Sequence, residues 1–128
     1  MSSMVLDASA LLALMNAEPG ADAVAAAIPD GVISAVNLSE VVAKLTESAI
    51  DPSEAWNAAT RVAPRVVDFD STMAREAAAL RPATRALGLG FGDRACLALA
   101  LVRRLPVLTA DRQWSALSLG LQIHFMRP

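Results

Sequence analysis

A chain of 128 residues, 55% of them hydrophobic, is long enough to bury a core, so we expect residues 1–128 to form a single domain. Its longest unbroken apolar run, residues 95–102, is far too short for a bilayer span, so we expect no membrane segment. One cysteine and one histidine exclude an internal disulfide and a zinc site of thiolates and imidazoles. Any metal ion must therefore be held by oxygen atoms.

The net charge of −2 argues weakly against a nucleic acid partner, but the charges are unevenly distributed. Residues 1–60 carry eight acids and one base, whereas residues 61–128 carry ten arginines and five acids. Such asymmetry indicates either a polyanion-binding face beside an acidic site, or arginines that simply cover exposed helix faces. No basic segment precedes the first apolar run, which Asp7 interrupts, so we expect no signal peptide and a cytoplasmic location.

The first half of the chain predicts strands that pass directly into helices. An apolar run ends at Asp7 and a helix-forming run follows at once, which is the pattern of a buried parallel strand followed by a helix. Ser9 is the expected N-cap of that helix, which should end near Asn16. The other elements predicted here are a helix over 22–28, a strand over 32–34, a helix capped by Asn37 or Ser34 and ending near Ser48, and a helix from Asp51 to near Pro64.

The second half continues the alternation. We predict a strand over 65–69, a helix capped by Asp70 or Ser71 that ends at Leu80, and a turn to Leu87. The glycine-rich loop 88–92 has the spacing of part of a phosphate-binding fingerprint, but it follows a helix and so lacks the required context. Asp93 should begin an apolar, central helix. A strand over 106–109, a short helix after Asp111 and a strand over 122–125 complete an α/β sandwich, whose central, mostly parallel sheet has four to five strands flanked by helices.

Four acids occupy positions from which they could converge. Asp7 and Asp111 each follow a strand, and ligands bind outside the carboxyl ends of the strands in open α/β sheets. Asp93 begins the most apolar helix, and Glu40 lies on the helix after the second strand. Clustered carboxylates repel one another, and hard divalent cations such as Mg²⁺ or Mn²⁺, which prefer oxygen ligands, relieve that repulsion.

Each acid also has a purely structural interpretation. Asp7 and Asp111 could be helix N-caps. Asp93 could cap its helix or pair with a neighbouring arginine, and Glu40 could form a surface ion pair with Lys44 four residues on. These interpretations do not explain why two separate strands end in Asp beside a hydroxyl residue, which favours an acidic metal site.

Four segments resemble, in order, the motifs of PIN-domain proteins, and specifically of the VapC-type ribonuclease toxins of type II toxin–antitoxin pairs. The segments are VLDASALLA at 5–13, VNLSEV at 36–41, GFGDRACLALA at 90–100 and VLTADR at 107–112. No one segment is specific, but all four in this order and in a chain of this length are.

The resemblance implies a PIN-like three-layer sandwich and an endoribonuclease that hydrolyses RNA phosphodiester bonds with Mg²⁺ or Mn²⁺. It implies that the catalytic and metal-holding residues, here called the acidic quartet, are Asp7, Glu40, Asp93 and Asp111. Ser9 and Thr109 would support them through their hydroxyls. The implied partners are transfer RNA or ribosomal RNA, an antitoxin protein and a second copy of the chain. Arg94 and Arg112, next to two of the acids, could hold RNA phosphates.

Two other functions compete with this one. A PIN-like module could bind RNA or protein without cleaving anything, although such a module would be expected to lose acids. A phosphatase or phospho-acceptor using Asp7 would need a second Asp two residues on, where Ser9 stands, and a lysine near the site, where Lys44 is the only candidate.

Overall fold

A parallel sheet forms the centre of the computed structural model, which describes residues 3–128. Its strands are β1 Met4–Leu6, β2 Gly31–Ser34, β3 Arg65–Val67, β4 Val107–Thr109 and β5 Ile123–Phe125. They are ordered β3-β2-β1-β4-β5, and every neighbouring pair is parallel. The predicted fold class, a mostly parallel sheet of four to five strands between helices, is confirmed.

Seven α-helices and one 3₁₀ helix connect these strands within residues 3–128. The α-helices are α1 Ala8–Met15, α2 Ala21–Ala27, α3 Ala35–Glu47, α4 Pro52–Val62, α5 Ser71–Ala79, α6 Arg81–Arg85 and α7 Phe91–Arg103. The 3₁₀ helix spans Arg112–Ala116. No helix in this part of the chain combines the length and apolar character needed to cross a membrane.

The pleat of the central strand creates the three layers. Successive side chains of a strand point to opposite faces, and both Val5 and Leu6 are fully buried. Val5 packs in a core with side chains of α5 and α7, whereas Leu6 packs with side chains of α1 and α2. Burying a side chain of this kind stabilises the fold by roughly 1.5–3 kcal/mol relative to leaving it exposed. An apolar pair at 5–6 therefore requires helices on both faces of the sheet.

The strand order fixes where a site can form. From β1 the chain adds β2 and β3 on one side, and it later places β4 and β5 on the other. The winding direction therefore reverses at β1, and a crevice opens outside the carboxyl ends of β1 and β4. Asp7 and Asp111 follow these two strands, so the fold brings two acids from distant parts of the sequence to one crevice.

Several predicted caps and boundaries are wrong. Asp7, not Ser9, is the N-cap of α1, because its carboxylate accepts the N–H of Ala10. Helix α7 begins at Phe91, before Asp93, because its N-cap is Gly90 in an extended conformation. The predicted turn after Leu80 is instead α6, with proline in its first turn, where a missing N–H costs nothing. Between the alternatives left open, Ser34 caps α3 and Asp70 caps α5.

Candidate active site

An open cleft of about 430 Å³ at the carboxyl ends of β1 and β4 is lined by all four members of the acidic quartet. Asp7 lies between β1 and α1, Asp111 lies between β4 and the 3₁₀ helix, and Asp93 is in the first turn of α7. Glu40 projects from α3, which packs against α7. The structure therefore brings together residues that are separated by as many as 104 positions in the sequence.

Asp7 is the most rigidly held of these acids. It is 4% exposed, and its carboxylate accepts three kinds of neutral donor. The hydroxyl of Thr109 donates to Oδ2 at 2.6 Å, the hydroxyl of Ser9 donates to Oδ1 at 2.8 Å, and the N–H of Ala10 donates to Oδ1 at 2.9 Å. Neutral donors satisfy the lone pairs of a buried carboxylate but leave its charge uncompensated.

The two predicted hydroxyls also connect the strand ends to each other. Ser9 accepts the N–H of Ala110 at 3.0 Å, and Thr109 accepts the N–H of Asp111 at 3.0 Å. Because both hydroxyls contact Asp7 as well, the loop after β4 is tied to the loop after β1. This arrangement fixes the backbone of Asp111 relative to the carboxylate of Asp7.

Two of the acids, Asp7 and Asp93, have raised pKa values. Burial raises the pKa of Asp7 to about 6 despite its hydrogen bonds, and the charge of Asp93 contributes in the same direction. Burial also raises the pKa of Asp93; the N–H of Gly90 opposes this, and the charges of Glu40 and Asp111 add to the rise. Two other acids thus act electrostatically on Asp93, and Asp93 acts on Asp7, as expected for groups that share one cleft.

No cation of the chain neutralises the quartet within residues 3–128. Lys44 lines the same cleft but pairs with Glu47 at 3.6 Å, and the other ion pair joins Arg127 to Glu18 at 3.2 Å. The alternative ion pairs between Glu40 and Lys44, and between Asp93 and an arginine, are therefore absent from the described part of the chain. The capping alternatives are correct for Asp7 and Asp111, and Asp93 also accepts the N–H of Gly90, the N-cap of its helix. Helix capping does not explain why four acids line the same cleft.

The carboxylate oxygens of this cleft are the kind of ligand that a hard divalent cation prefers. They are not close enough together in this conformation to bind one. Across residues 3–128, no three acidic, His or Cys side chains are placed to hold a metal ion. Each member of the quartet accepts a hydrogen bond from its own segment instead. Glu40 is exposed and Asp93 and Asp111 are half-buried, so these three side chains are less confined than that of Asp7. Uncompensated carboxylates with that freedom suit Mg²⁺ or Mn²⁺.

Arg94 and Arg112 do not line the acidic cleft. The guanidinium of Arg94 donates to the carbonyl of Ala77 at 3.3 Å, and that of Arg112 lies 4.1 Å from the centre of the Phe125 ring. Arg94 is half-buried and holds α7 against α5, whereas Arg112 is exposed. Binding of RNA phosphates by these two residues stays a prediction, and Arg112 is the more accessible of them.

Sequence reasoning missed Asn37 and Gly92. Asn37 lines the cleft, where its amide donates to Glu40 at 2.8 Å, although the sequence suggested it only as a helix cap. Its position three residues before Glu40, on the same face of a helix, was the available signal. No comparable signal identified Gly92, because its neighbour in space comes from another helix.

The family model of the PIN domain matches residues 4–118. The chain belongs to the PIN domain family. This PIN domain is similar in fold to the DNA-bound VapBC of Salmonella typhimurium, with a TM-score of 0.76 at 20% identity over 98% of this chain and 99% of that one. VapC20 of Mycobacterium tuberculosis, a Sarcin-Ricin loop cleaving toxin, gives 0.73 at 21% identity over 89% and 94%. Rickettsia felis VapBC2, bound to a DNA fragment from its promoter, gives 0.71 at 15% identity over 95% and 97%. No curated protein matches this PIN domain significantly in sequence.

The raised pKa of Asp7 predicts that the PIN domain loses stability as the pH rises in metal-free buffer. The pKa is about 6 when folded and near 3.8 when unfolded, so the stabilising contribution is complete below pH 3.8 and is lost as the pH passes through 6. The loss amounts to roughly 3 kcal/mol. Denaturant unfolding of the wild type and of Asp7→Asn from pH 4.5 to 8 should give a difference in unfolding free energy that changes by this order. Asp68→Asn, at an exposed acid outside the cleft, is the control, and a flat difference for Asp7→Asn would contradict the assignment.

Proposed function

We propose that this chain, folded as one PIN domain, is a Mg²⁺- or Mn²⁺-dependent endoribonuclease that acts as the toxin of a toxin–antitoxin pair. One observation carries the proposal: four carboxylates from four separate segments of the sequence line one cleft, and none of them forms an ion pair with a lysine or arginine of the described residues. Such a cleft repels the phosphates of RNA unless a divalent cation lies between them. Cellular RNA is the substrate, so the cytoplasm is the proposed location.

The four acids would have different roles because they differ in how firmly their side chains are held. A bound divalent cation supplies charge neutralisation at the phosphoryl oxygens and acidifies a water molecule. Asp7, held by three donors, would be the fixed ligand that sets the position of the ion. Asp93, Asp111 and Glu40 would complete the oxygen ligands, and Glu40, the exposed member, would also orient the attacking water and accept its proton.

Neither the cysteine nor the histidine of the chain is available for covalent catalysis in this cleft. Cys96 is fully buried in the core, and burial raises the pKa of its thiol well above the usual value. The single histidine, His124, lies in β5 and does not line the acidic cleft. Direct attack by water on phosphorus is therefore the proposed route, and it leaves a 5′-phosphate on the downstream product.

Transfer RNA or ribosomal RNA is the proposed substrate. Its support is the fold shared with a Sarcin-Ricin loop cleaving toxin, and the shape of an open cleft that admits a structured strand. The exposed Arg112, which follows Asp111, would contact phosphates that flank the cleft. The half-buried Arg94 would reach a phosphate only by releasing the Ala77 carbonyl.

Cleavage assays test the catalytic proposal. The purified protein should cut transfer or ribosomal RNA at few sites with Mg²⁺ or Mn²⁺, and chelator should abolish the cut. Asp7→Asn and Asp93→Asn should each lower activity by orders of magnitude, and the double variant should be little worse, because residues that serve one metal centre act as a unit. Asp68→Asn should cut normally, and circular dichroism should show an intact fold in all variants.

Two results would overturn the mechanism. Cleavage that persists in chelator, or products that end in a 2′,3′-cyclic phosphate, would mean that the 2′-hydroxyl is the nucleophile. Tight RNA binding without cleavage in any divalent metal would favour the alternative, a catalytically inactive PIN-like module that binds RNA or protein.

A small antitoxin protein and a second copy of the chain are the proposed partners. The structural neighbours include VapBC complexes, and large apolar side chains are exposed on this chain, among them Trp56 at 50%, Phe91 at 51% and Val102 at 46%. Large exposed apolar side chains of this kind would be covered in a complex with another protein. Sedimentation at micromolar concentration should give a dimer, and a monomer throughout would contradict the dimer. Expression alone should arrest growth, and co-expression of the neighbouring small gene should relieve the arrest.

A further inference from the structure

The carboxylate of Glu40 contacts Asn37, a residue with no role in the proposed reaction. The side-chain amide of Asn37 donates to Oε1 of Glu40 at 2.8 Å and to the carbonyl of Gly92 at 2.9 Å. Asn37 belongs to α3 and Gly92 to the first turn of α7, so one amide joins the two helices that carry Glu40 and Asp93.

The orientation of the Asn37 amide follows from its partners. Both neighbours are acceptors, so the nitrogen must face them, since the flipped amide would place its oxygen against two other oxygens. The oxygen Oδ1 is buried and accepts no hydrogen bond from any residue in the range 3–128. Leaving a buried acceptor unpaired is unfavourable. The two hydrogen bonds that its nitrogen donates must therefore offset the cost of burying Asn37, which is 1% exposed.

Gly92 supplies the other half of this contact by having no side chain. A Cβ atom built on Gly92 would fall on the Glu40 carboxylate, overlapping both of its oxygens and its carbon. The same atom on Gly90, two residues earlier, would meet nothing within 4 Å. The glycine at position 92 is thus explained by the space that the Glu40 carboxylate occupies, and not by phosphate binding.

We propose that Asn37 and Gly92 are positioning residues that together form a seat for the Glu40 carboxylate beside Asp93. This inference rests on the proposed function, in which Glu40 serves the divalent cation. A glutamate on an exposed stretch of helix has three freely rotating torsions, and the negative charge of Asp93 repels it. The seat opposes both effects, because it supplies a donor for Oε1 and space against the backbone of α7.

If this seat exists, adding one methyl group at position 92 should weaken metal binding without lowering stability. Gly92→Ala introduces a better helix former into α7, and the atoms it displaces are the end of a flexible side chain. Its melting temperature should equal or exceed that of the wild type, while its affinity for Mn²⁺ falls several-fold because Glu40 is expelled. Gly90→Ala keeps the backbone N–H and meets open space, so it is the steric control and should bind Mn²⁺ like the wild type.

Asn37→Asp tests the other half of the seat at nearly constant volume. The substitution replaces the donor nitrogen by an oxygen that faces two acceptors, so it should weaken Mn²⁺ binding as Gly92→Ala does. The matched control is Asn57→Asp at an exposed position of α4, which adds the same charge away from the cleft.

The deciding measurement is titration with Mn²⁺ followed by the electron paramagnetic resonance of the free ion, with cleavage rates measured in parallel. Glu40→Gln should weaken binding, and adding Gly92→Ala to it should weaken binding no further, because the seat acts only through Glu40.

Additive losses in the double variant, or wild-type affinity in both Gly92→Ala and Asn37→Asp, would overturn the seat. If the wild type binds Mn²⁺ and cuts RNA while these variants behave as their controls, only the seat fails. If the wild type does neither, the proposed function fails and the seat fails with it.

Discussion

The buried, uncompensated charge of Asp7 is the constraint on which the rest of the site depends. A carboxylate that is 4% exposed cannot be satisfied by water, and in this fold it is satisfied by two hydroxyls and one backbone N–H. Those donors come from α1 and from the end of β4, so the same contacts that make the burial of Asp7 tolerable also fix the loop that carries Asp111. Because the donors are neutral, the charge of Asp7 stays uncompensated at the floor of the cleft, and burial raises its pKa to about 6.

The sheet makes this arrangement possible. The strand β1 is central in the sheet and its apolar pair at 5–6 is buried on both faces, so the residue that follows it lies at the crevice where the winding reverses. Asp7 is that residue. The helices on the two faces then bring Glu40 from α3 and Asp93 from α7 over the same crevice. A fold whose layers are held by ordinary apolar packing thus concentrates four negative charges at one edge, and a divalent cation is the natural counter-charge.

Much of this was predictable from the sequence, and the limits have physical reasons. The strand order could not be read from the pattern, but the parallel sheet and the strand-end positions of Asp7 and Asp111 could, because apolar runs and their termini are local features. The N-cap of α1 was misassigned to Ser9 because Asp7 and Ser9 are both good capping residues, and only the backbone geometry distinguishes them. Asn37 and Gly92 were missed because their contact joins two helices separated by 55 positions. The side-chain directions of Arg94 and Arg112 likewise depend on partners, Ala77 and Phe125, that no local pattern reveals.

The most direct test of the central claim is to locate a bound ion. Crystals of the protein soaked in Mn²⁺ should show one strong anomalous peak in the acidic cleft, in contact with the carboxylate of Asp7 and with at least one further member of the quartet, and the peak should vanish in Asp7→Asn. The account also predicts that Asp93, Asp111 or Glu40 rotates toward that peak from the hydrogen-bonded positions described above. An empty cleft at millimolar Mn²⁺, or a peak that survives Asp7→Asn unchanged, would contradict the claim that these carboxylates form a metal centre.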